Sequence, residues 1–371
     1  MSMRNVMVTG GAGFIGANFV QYWTKQYPDD RIIVLDALTY AGNRANLEPV
    51  LNKPTFRFVH GNILDRPLIN TVMREERVDT IVHFAAESHV DRSIHEPDAF
   101  IQTNVIGTHN LLMEARESWL DSDDAPATHR FHHVSTDEVY GTLATGDPAF
   151  TEATPYAPNS PYAASKAASD HLVRSYHHTY GLAVTTSNCS NNYGPYQFPE
   201  KLIPLMIVNA LLGKPLPIYG DGKNIRDWLY VDDHCRGIDL VISDGRLGAT
   251  YNIGGNNEWQ NIDIVKQVCA ILDQSFSDNE ALQTRFPDAP AARGQKTESL
   301  ITFVKDRLGH DWRYAIDATL AEEELGYSPH QSFETGIQLT LNWMLENEGW
   351  WRAVMDGSYR DWISKNYSDD A

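Results

Sequence analysis

The stretch Thr9-Gly10-Gly11-Ala12-Gly13-Phe14-Ile15-Gly16 decides the fold. It follows the apolar run Val6-Met7-Val8 and opens a stretch of helical periodicity over 17–27, so it is a turn from a first strand into a first helix. Two spacings suit a dinucleotide-binding turn, Gly11-x-Gly13-x-x-Gly16 and Gly10-x-x-Gly13-x-x-Gly16. Glycine fits there because the chain turns sharply, the backbone must approach a pyrophosphate, and the helix packs closely on the strand. The helix N-terminus behind the turn then stabilises the anion. A glycine run alone is also what an ordinary tight turn requires, so the context matters. Asp36 closes the second strand twenty residues beyond Gly16, where a carboxylate can accept hydrogen bonds from an adenosine ribose. A 2′-phosphate would be repelled there and no Arg immediately follows, which favours NAD over NADP.

Outward from this turn, strand-like runs at 5–9, 31–36, 55–60, 80–84, 130–135 and 182–188 alternate with amphipathic stretches such as 17–27, 67–77 and 98–117. That rhythm predicts an α/β fold, a Rossmann-type doubly wound parallel sheet. After about residue 189 Pro- and Gly-rich turns take over, as in Asn192-Tyr193-Gly194-Pro195. The expected organisation is a dinucleotide-binding domain over 1–188, to which later segments return, and a smaller α/β substrate-binding domain over 189–371. The acidic insertion Asp121-Ser122-Asp123-Asp124 reads as a solvated loop, and Trp343, Trp350, Trp351 and Trp362 as packing or subunit-contact residues.

The 371 residues are 42% hydrophobic and 11% aromatic, too rich in core-forming side chains for disorder. With 30 Lys+Arg against 49 Asp+Glu the net charge is −19, which argues against a nucleic-acid binder, since those concentrate Lys and Arg on one face. No stretch approaches the roughly 18 apolar residues of a membrane helix, and the N-terminus leads straight into the first strand, so a cytoplasmic protein is expected. Cys189, Cys235 and Cys269 form neither a C-x-x-C pair nor an even framework, and Cys189 is read as a small buried hydrophobe. No metal site is expected.

Tyr162-Ala163-Ala164-Ser165-Lys166 begins a helical stretch and places Tyr162 and Lys166 on one face. A nearby ammonium favours tyrosinate and is expected to bring the phenol below its ordinary pKa of about 10. At the end of the fifth strand stands Ser135-Thr136-Asp137-Glu138, where sheets of this kind face their ligand. Adjacent acids are usually a solvated pair. Opposite a Tyr/Lys pair they read instead as an acid and a base of split pKa, serving two different atoms.

At these residues the sequence resembles the extended short-chain dehydrogenase/reductase family, and closely its dTDP-glucose 4,6-dehydratases. The likeness spans nearly the whole chain. It rests on Gly10 to Gly16, His83-Phe84-Ala85-Ala86-Glu87-Ser88-His89-Val90-Asp91-Arg92-Ser93, Thr136-Asp137-Glu138, Tyr162 to Lys166, Asn188-Cys189-Ser190-Asn191-Asn192, Pro199-Glu200-Lys201-Leu202 and Tyr219-Gly220-Asp221-Gly222. The resemblance implies oxidation at sugar carbon 4, loss of water across carbons 5 and 6, and return of hydride to carbon 6. It implies Tyr162 as the base at the 4-hydroxyl, Thr136 and Lys166 as its supports, Glu138 as the base at carbon 5 and Asp137 as the acid at the leaving 6-hydroxyl.

It further implies that Gly10, Gly13, Phe14, Ile15, Gly16, Asp36, Leu38, Thr39, Asn62, Ile63, Phe84, Ala85, Ala86, Ser88, Thr103, Tyr162, Lys166 and Asn192 hold NAD. The nucleotide sugar falls to Ser88, Thr136, Asn191, Lys201, Leu202, Pro217, Tyr219, Arg226, Asn261, Arg307 and His310. A homodimer paired through 98–117 and 160–180 is the corresponding expectation. Two positions depart from the family pattern: Asn62 stands in place of Asp, and Leu308 in place of Pro in Arg307-Leu308-Gly309-His310. Rivals are a dehydratase of a UDP- or CDP-linked hexose, a UDP-sugar 4-epimerase, which has no use for two acids after Thr136, and a silent NAD or nucleotide-sugar sensor. Both expected ligands are anions, so the chain's field must reverse sign locally, at the first helix N-terminus and at Lys201, Arg226 and Arg307.

Overall fold

The computed structural model describes residues 3–306 and 309–355; Arg307, Leu308 and Trp362 lie outside the described residues. Twelve strands are β1 Asn5–Thr9, β2 Arg31–Asp36, β3 Phe56–His60, β4 Thr80–His83, β5 Arg130–Thr136, β6 Val184–Cys189, β7 Asn191–Tyr193, β8 Leu216–Tyr219, β9 Ile225–Tyr230, β10 Thr250–Ile253, β11 Glu258–Gln260 and β12 Ile301–Val304. Seven form one sheet in the order β10-β6-β5-β4-β1-β2-β3, every neighbouring pair parallel. This is the expected doubly wound fold. The connection order reverses between β1 and β4, so the turns leaving them diverge and open a crevice at the strands' carboxyl ends.

Successive side chains of a strand point to opposite faces, and both faces here are covered. Met7, Ile33 and Ile81 pack with Leu111, Leu112 and Val173 from helices Thr108–Trp119 and Pro161–Tyr180. Val6, Val8, Ile32 and Val34 pack with Phe19 and Trp23 of Phe14–Gln26 and with Ile238 of Val231–Asp244. Each such side chain contributes roughly 1.5–3 kcal/mol on burial. β10 joins the sheet beside β6 although it lies far along the chain. A separate core gathers Ile203, Ile207, Val265, Leu272, Phe333, Leu341 and Trp351 around the sheet β11-β9-β7. Trp343, Trp350 and Trp351 serve packing: Trp343 and Trp350 meet at 5.1 Å, and the Trp350 indole donates to Asn46.

Two helices position the site. Pro161–Tyr180 starts where Ser160 Oγ accepts from the Ala163 amide at 3.1 Å, has Pro at its first turn, and stops at Gly181 with φ +77°. The predicted helix over 98–117 is broken: Pro97–Phe100 runs into a π-helical turn Ile101–Gly107, and the α-helix resumes over Thr108–Trp119. Asn104 lies within the widened turn. Its amide nitrogen donates to Ser165 Oγ and to the Glu87 carbonyl, and its oxygen accepts from the Glu87 amide. Among the described residues no helix is long and apolar enough to cross a membrane.

Candidate active site

A cleft of about 310 Å³ opens where the strand order reverses. Its floor is the glycine turn. Gly10 has φ +69°, and a Cβ there would lie 2.6 Å from the Ala85 nitrogen, so the turn and the end of β4 touch as only glycine permits. The helix Phe14–Gln26 begins at Gly13 with no side-chain cap, leaving its first amides directed at the cleft. These donors fit a pyrophosphate. Asp36 binds the turn from the other side, accepting from the Ala12 amide at 2.8 Å and the Leu38 amide at 2.7 Å. Burial raises its pKa, and those two hydrogen bonds oppose the rise.

Gly10, Gly13, Phe14, Ile15, Gly16, Asp36, Thr39, Asn62, Ile63, Phe84, Ala85, Ala86, Ser88, Thr103 and Asn192 all line the cleft. Leu38 does not: at φ +50° it turns away and contributes its amide to Asp36. Asn62 lines the cleft with its side-chain oxygen accepting from the Leu64 amide, so its shape is set by its own loop.

The catalytic candidates meet at the other end. Thr136, Asp137, Glu138, Tyr162 and Lys166 line the same cleft. Thr136 ends β5 and caps a 3-10 turn, Asp137–Tyr140, accepting from the Glu138 amide. The turn gives the two acids different surroundings. Asp137 is 1% exposed, and Glu138 is only partly buried. Burial, then the charges of Glu138 and Asp227, push the Asp137 carboxyl well above its usual range. Among the described residues its Oδ2 has no hydrogen-bond partner. Asp137 therefore holds its proton to higher pH than an ordinary carboxyl and is the better placed of the two acids to give one.

Tyr162 departs from expectation. Burial, Glu138, Cys189 and Asp137 raise its pKa well above the ordinary value, and only the hydrogen bond with Thr136 lowers it. Burial is the largest cause, and the ammonium is engaged elsewhere: Lys166 Nζ donates to the Val134 carbonyl at 2.9 Å. Cys189 also lines the cleft, and burial pushes its thiol up, which makes it a poor nucleophile.

Ser88, Asn191 and Lys201 stand in the cleft beside the acids, and Lys201 Nζ donates to the Ser88 carbonyl at 3.2 Å. Leu202, Pro217, Tyr219, Arg226, Asn261 and His310 lie outside its lining. Of these, Tyr219 and His310 meet edge to face at 6.2 Å, and Arg226 lies 4.2 Å from the Tyr314 ring while donating to the Ile225 and Asp311 carbonyls. Arg226 connects the two groups, since its charge opposes the rise in the Asp137 pKa.

Several lining residues escaped sequence reasoning. Glu200 is buried beside Arg92 at 3.4 Å, and the Arg92 guanidinium lies 3.9 Å over the Tyr40 ring. Burial raises the pKa of Glu200 and of Glu87. Both acids sit inside strings singled out for other residues. Tyr40, which also lines the cleft, carries no motif at all.

A parallel sheet in this order, with a dinucleotide cradle and a Tyr/Lys pair at its carboxyl ends, defines a short-chain dehydrogenase/reductase type of enzyme. A family model described as GDP-mannose 4,6 dehydratase matches residues 7–340. The dTDP-glucose 4,6-dehydratase of Xanthomonas campestris pv. campestris (strain B100) is 55% identical over 360 residues, 96% of this chain and 98% of that relative. DesIV, a dTDP-glucose 4,6-dehydratase from Streptomyces venezuelae solved with NAD and dTDP bound, is 49% identical with a TM-score of 0.83, covering 94% of this chain and 99% of that one. UDP-glucose 4-epimerase from Thermotoga maritima, solved with UDP-glucose, has a TM-score of 0.78 at 26% identity, covering 93% and 99%. The chain belongs to the nucleotide-sugar 4,6-dehydratase family that the model describes.

Proposed function

We propose that the chain converts dTDP-glucose to dTDP-4-keto-6-deoxyglucose and water with NAD held in the glycine-turn cleft. Asp137 carries this assignment. A buried carboxyl that holds its proton more tightly than an ordinary one, next to a less buried Glu138 and in the same cleft as Tyr162, is what an elimination uses and an epimerisation does not.

NAD, when bound, supplies the hydride acceptor at the start and the hydride donor at the end. Tyr162 Oη takes the proton of the sugar 4-hydroxyl as carbon 4 is oxidised. Thr136 hydrogen-bonds that oxygen, and Lys166 supports the tyrosinate with its charge. The 4-keto group acidifies the proton on carbon 5, which Glu138 removes. Asp137 gives its proton to the 6-hydroxyl, so the carbon–oxygen bond breaks and water leaves. Hydride then returns to carbon 6 and a proton to carbon 5, and no second redox partner is consumed. Phosphate contacts fall to Lys201 and Arg226, the latter a guanidinium whose fork of donors matches phosphate oxygens.

We also infer a homodimer. Ile101 and Ile106 on the π turn and Tyr180 at the end of Pro161–Tyr180 are exposed apolar side chains on the two segments expected to pair. Sedimentation at micromolar concentration checks this, and a monomer throughout contradicts it. A cytoplasmic location fits three buried free thiols, and a 4-keto-6-deoxy sugar is a precursor for deoxysugars such as rhamnose. The test of substrate is turnover of dTDP-, UDP- and CDP-glucose side by side, read by mass. Loss of one water fastest from dTDP-glucose supports the assignment; preference for another base overturns that part of it.

A further inference from the structure

Tyr162, Lys166 and Asp170 recur every four residues along Pro161–Tyr180 and share one face. That face is buried, with Lys166 4% and Asp170 5% exposed. β5 runs beside it and supplies partners in turn. His133 Nε2 meets Asp170 Oδ1 at 3.0 Å, the Val134 carbonyl accepts from Lys166 Nζ at 2.9 Å, and Ser135 Oγ donates to Asp170 Oδ2 at 2.9 Å. Both carboxylate oxygens are thus tied to the strand that carries Thr136, Asp137 and Glu138 onward into the cleft. Asp170 itself does not line the cleft.

We propose that Asp170 is a positioning residue for the Tyr162–Lys166 pair, a fixed buried carboxylate whose negative charge keeps the Lys166 ammonium charged at the oxidising end of the site. Lys166 needs such a partner. Its hydrogen bond goes to a neutral carbonyl, and burying an ammonium without a counter-charge is costly. Burial pulls its pKa down, and Asp170 is the foremost group opposing that, with Cys189 second. The other titratable groups here are neutral or nearly so. His83 on β4 and His133 on β5 are held well below their usual pKa by burial, and the Cys189 thiol on β6 is pushed up. Tyr156, in the loop before the helix, is a phenol of raised pKa that faces the carboxylate. Asp170 stands at about 6, raised by burial and restrained by Lys166, Ser135, Tyr156 and His171, so it is ionised at neutral pH.

The inference rests on the dehydratase reading for its turnover measurement, and one readout is independent of it. Asp170→Asn keeps the shape and removes the charge. Removing a nearby negative charge makes the Lys166 ammonium proton easier to lose. In the holoenzyme the basic limb of kcat/KM for dTDP-glucose should therefore move down by about one unit, with kcat falling on that limb and KM unchanged. Asp170→Glu should bring the limb back toward the wild-type position. If Asp170→Asn does not fold, Asp170→Ser carries the same expectation. A folded neutral variant whose basic limb stays in place overturns the proposal, as does a rise in KM alone. The 15Nζ resonance of Lys166 followed against pH should show the same downward shift without turnover. Failure of the wild type to act on dTDP-glucose would instead strike the functional assignment and leave this resonance test standing.

Discussion

The two acids at the end of β5 differ in burial, and that difference divides the labour between them. Glu138→Gln cannot take the carbon-5 proton. The variant should oxidise carbon 4 and stop, accumulating reduced cofactor, seen as near-ultraviolet absorbance, with no mass change; full turnover would remove Glu138 from its role. Asp137→Asn should lower kcat by roughly 10²–10⁴-fold, the span of a lost general acid. The pH dependence has a definite sign. Tyr162, its pKa raised mainly by burial, must lose a proton, so the rate climbs with pH. Asp137, also raised by burial, keeps its proton to higher pH than an ordinary carboxyl. A bell-shaped profile whose rising limb follows Tyr162 and whose falling limb follows loss of the Lys166 proton is the expected result. An adjacent pair of acids at a strand's carboxyl end was legible in Thr136-Asp137-Glu138. Which one is buried depends on the 3-10 turn, and the upward shift of Tyr162 depends chiefly on its burial; neither leaves a trace in residue spacing.

Elements hold these side chains in place, and two of them give clean tests. Gly10→Ala places a Cβ against the Ala85 backbone at a positive φ. It should cost about 1–3 kcal/mol of strain and empty the purified protein of NAD, which melting temperature and cofactor content both report. Ser160→Ala removes the cap of Pro161–Tyr180 and should cost about 1 kcal/mol in urea unfolding. The glycine turn and the Tyr/Lys helix could be read because turns and caps are written in neighbouring residues. The π turn Ile101–Gly107 could not: its Asn104 bonds Glu87 and Ser165, which are distant in sequence, and no local spacing marks it. Nor could the placement of β10, four residues long, whose partner β6 is fixed only by packing.

At the scale of the molecule, a net charge of −19 surrounds a cleft that takes anions. The attraction is local: the amides at the start of Phe14–Gln26, Lys201 in the cleft and Arg226 behind it. Lys201→Met should raise KM for dTDP-glucose by roughly tenfold, the worth of one charge-assisted hydrogen bond, with kcat changed far less. A closed redox cycle within one site is the central claim, and deuterium at carbon 4 of dTDP-glucose follows it directly. Magnetic resonance of the product should find that deuterium in the carbon-6 methyl group, with the mass reduced by one water. Deuterium still at carbon 4 in a product of unchanged mass, or deuterium lost to solvent, would contradict it.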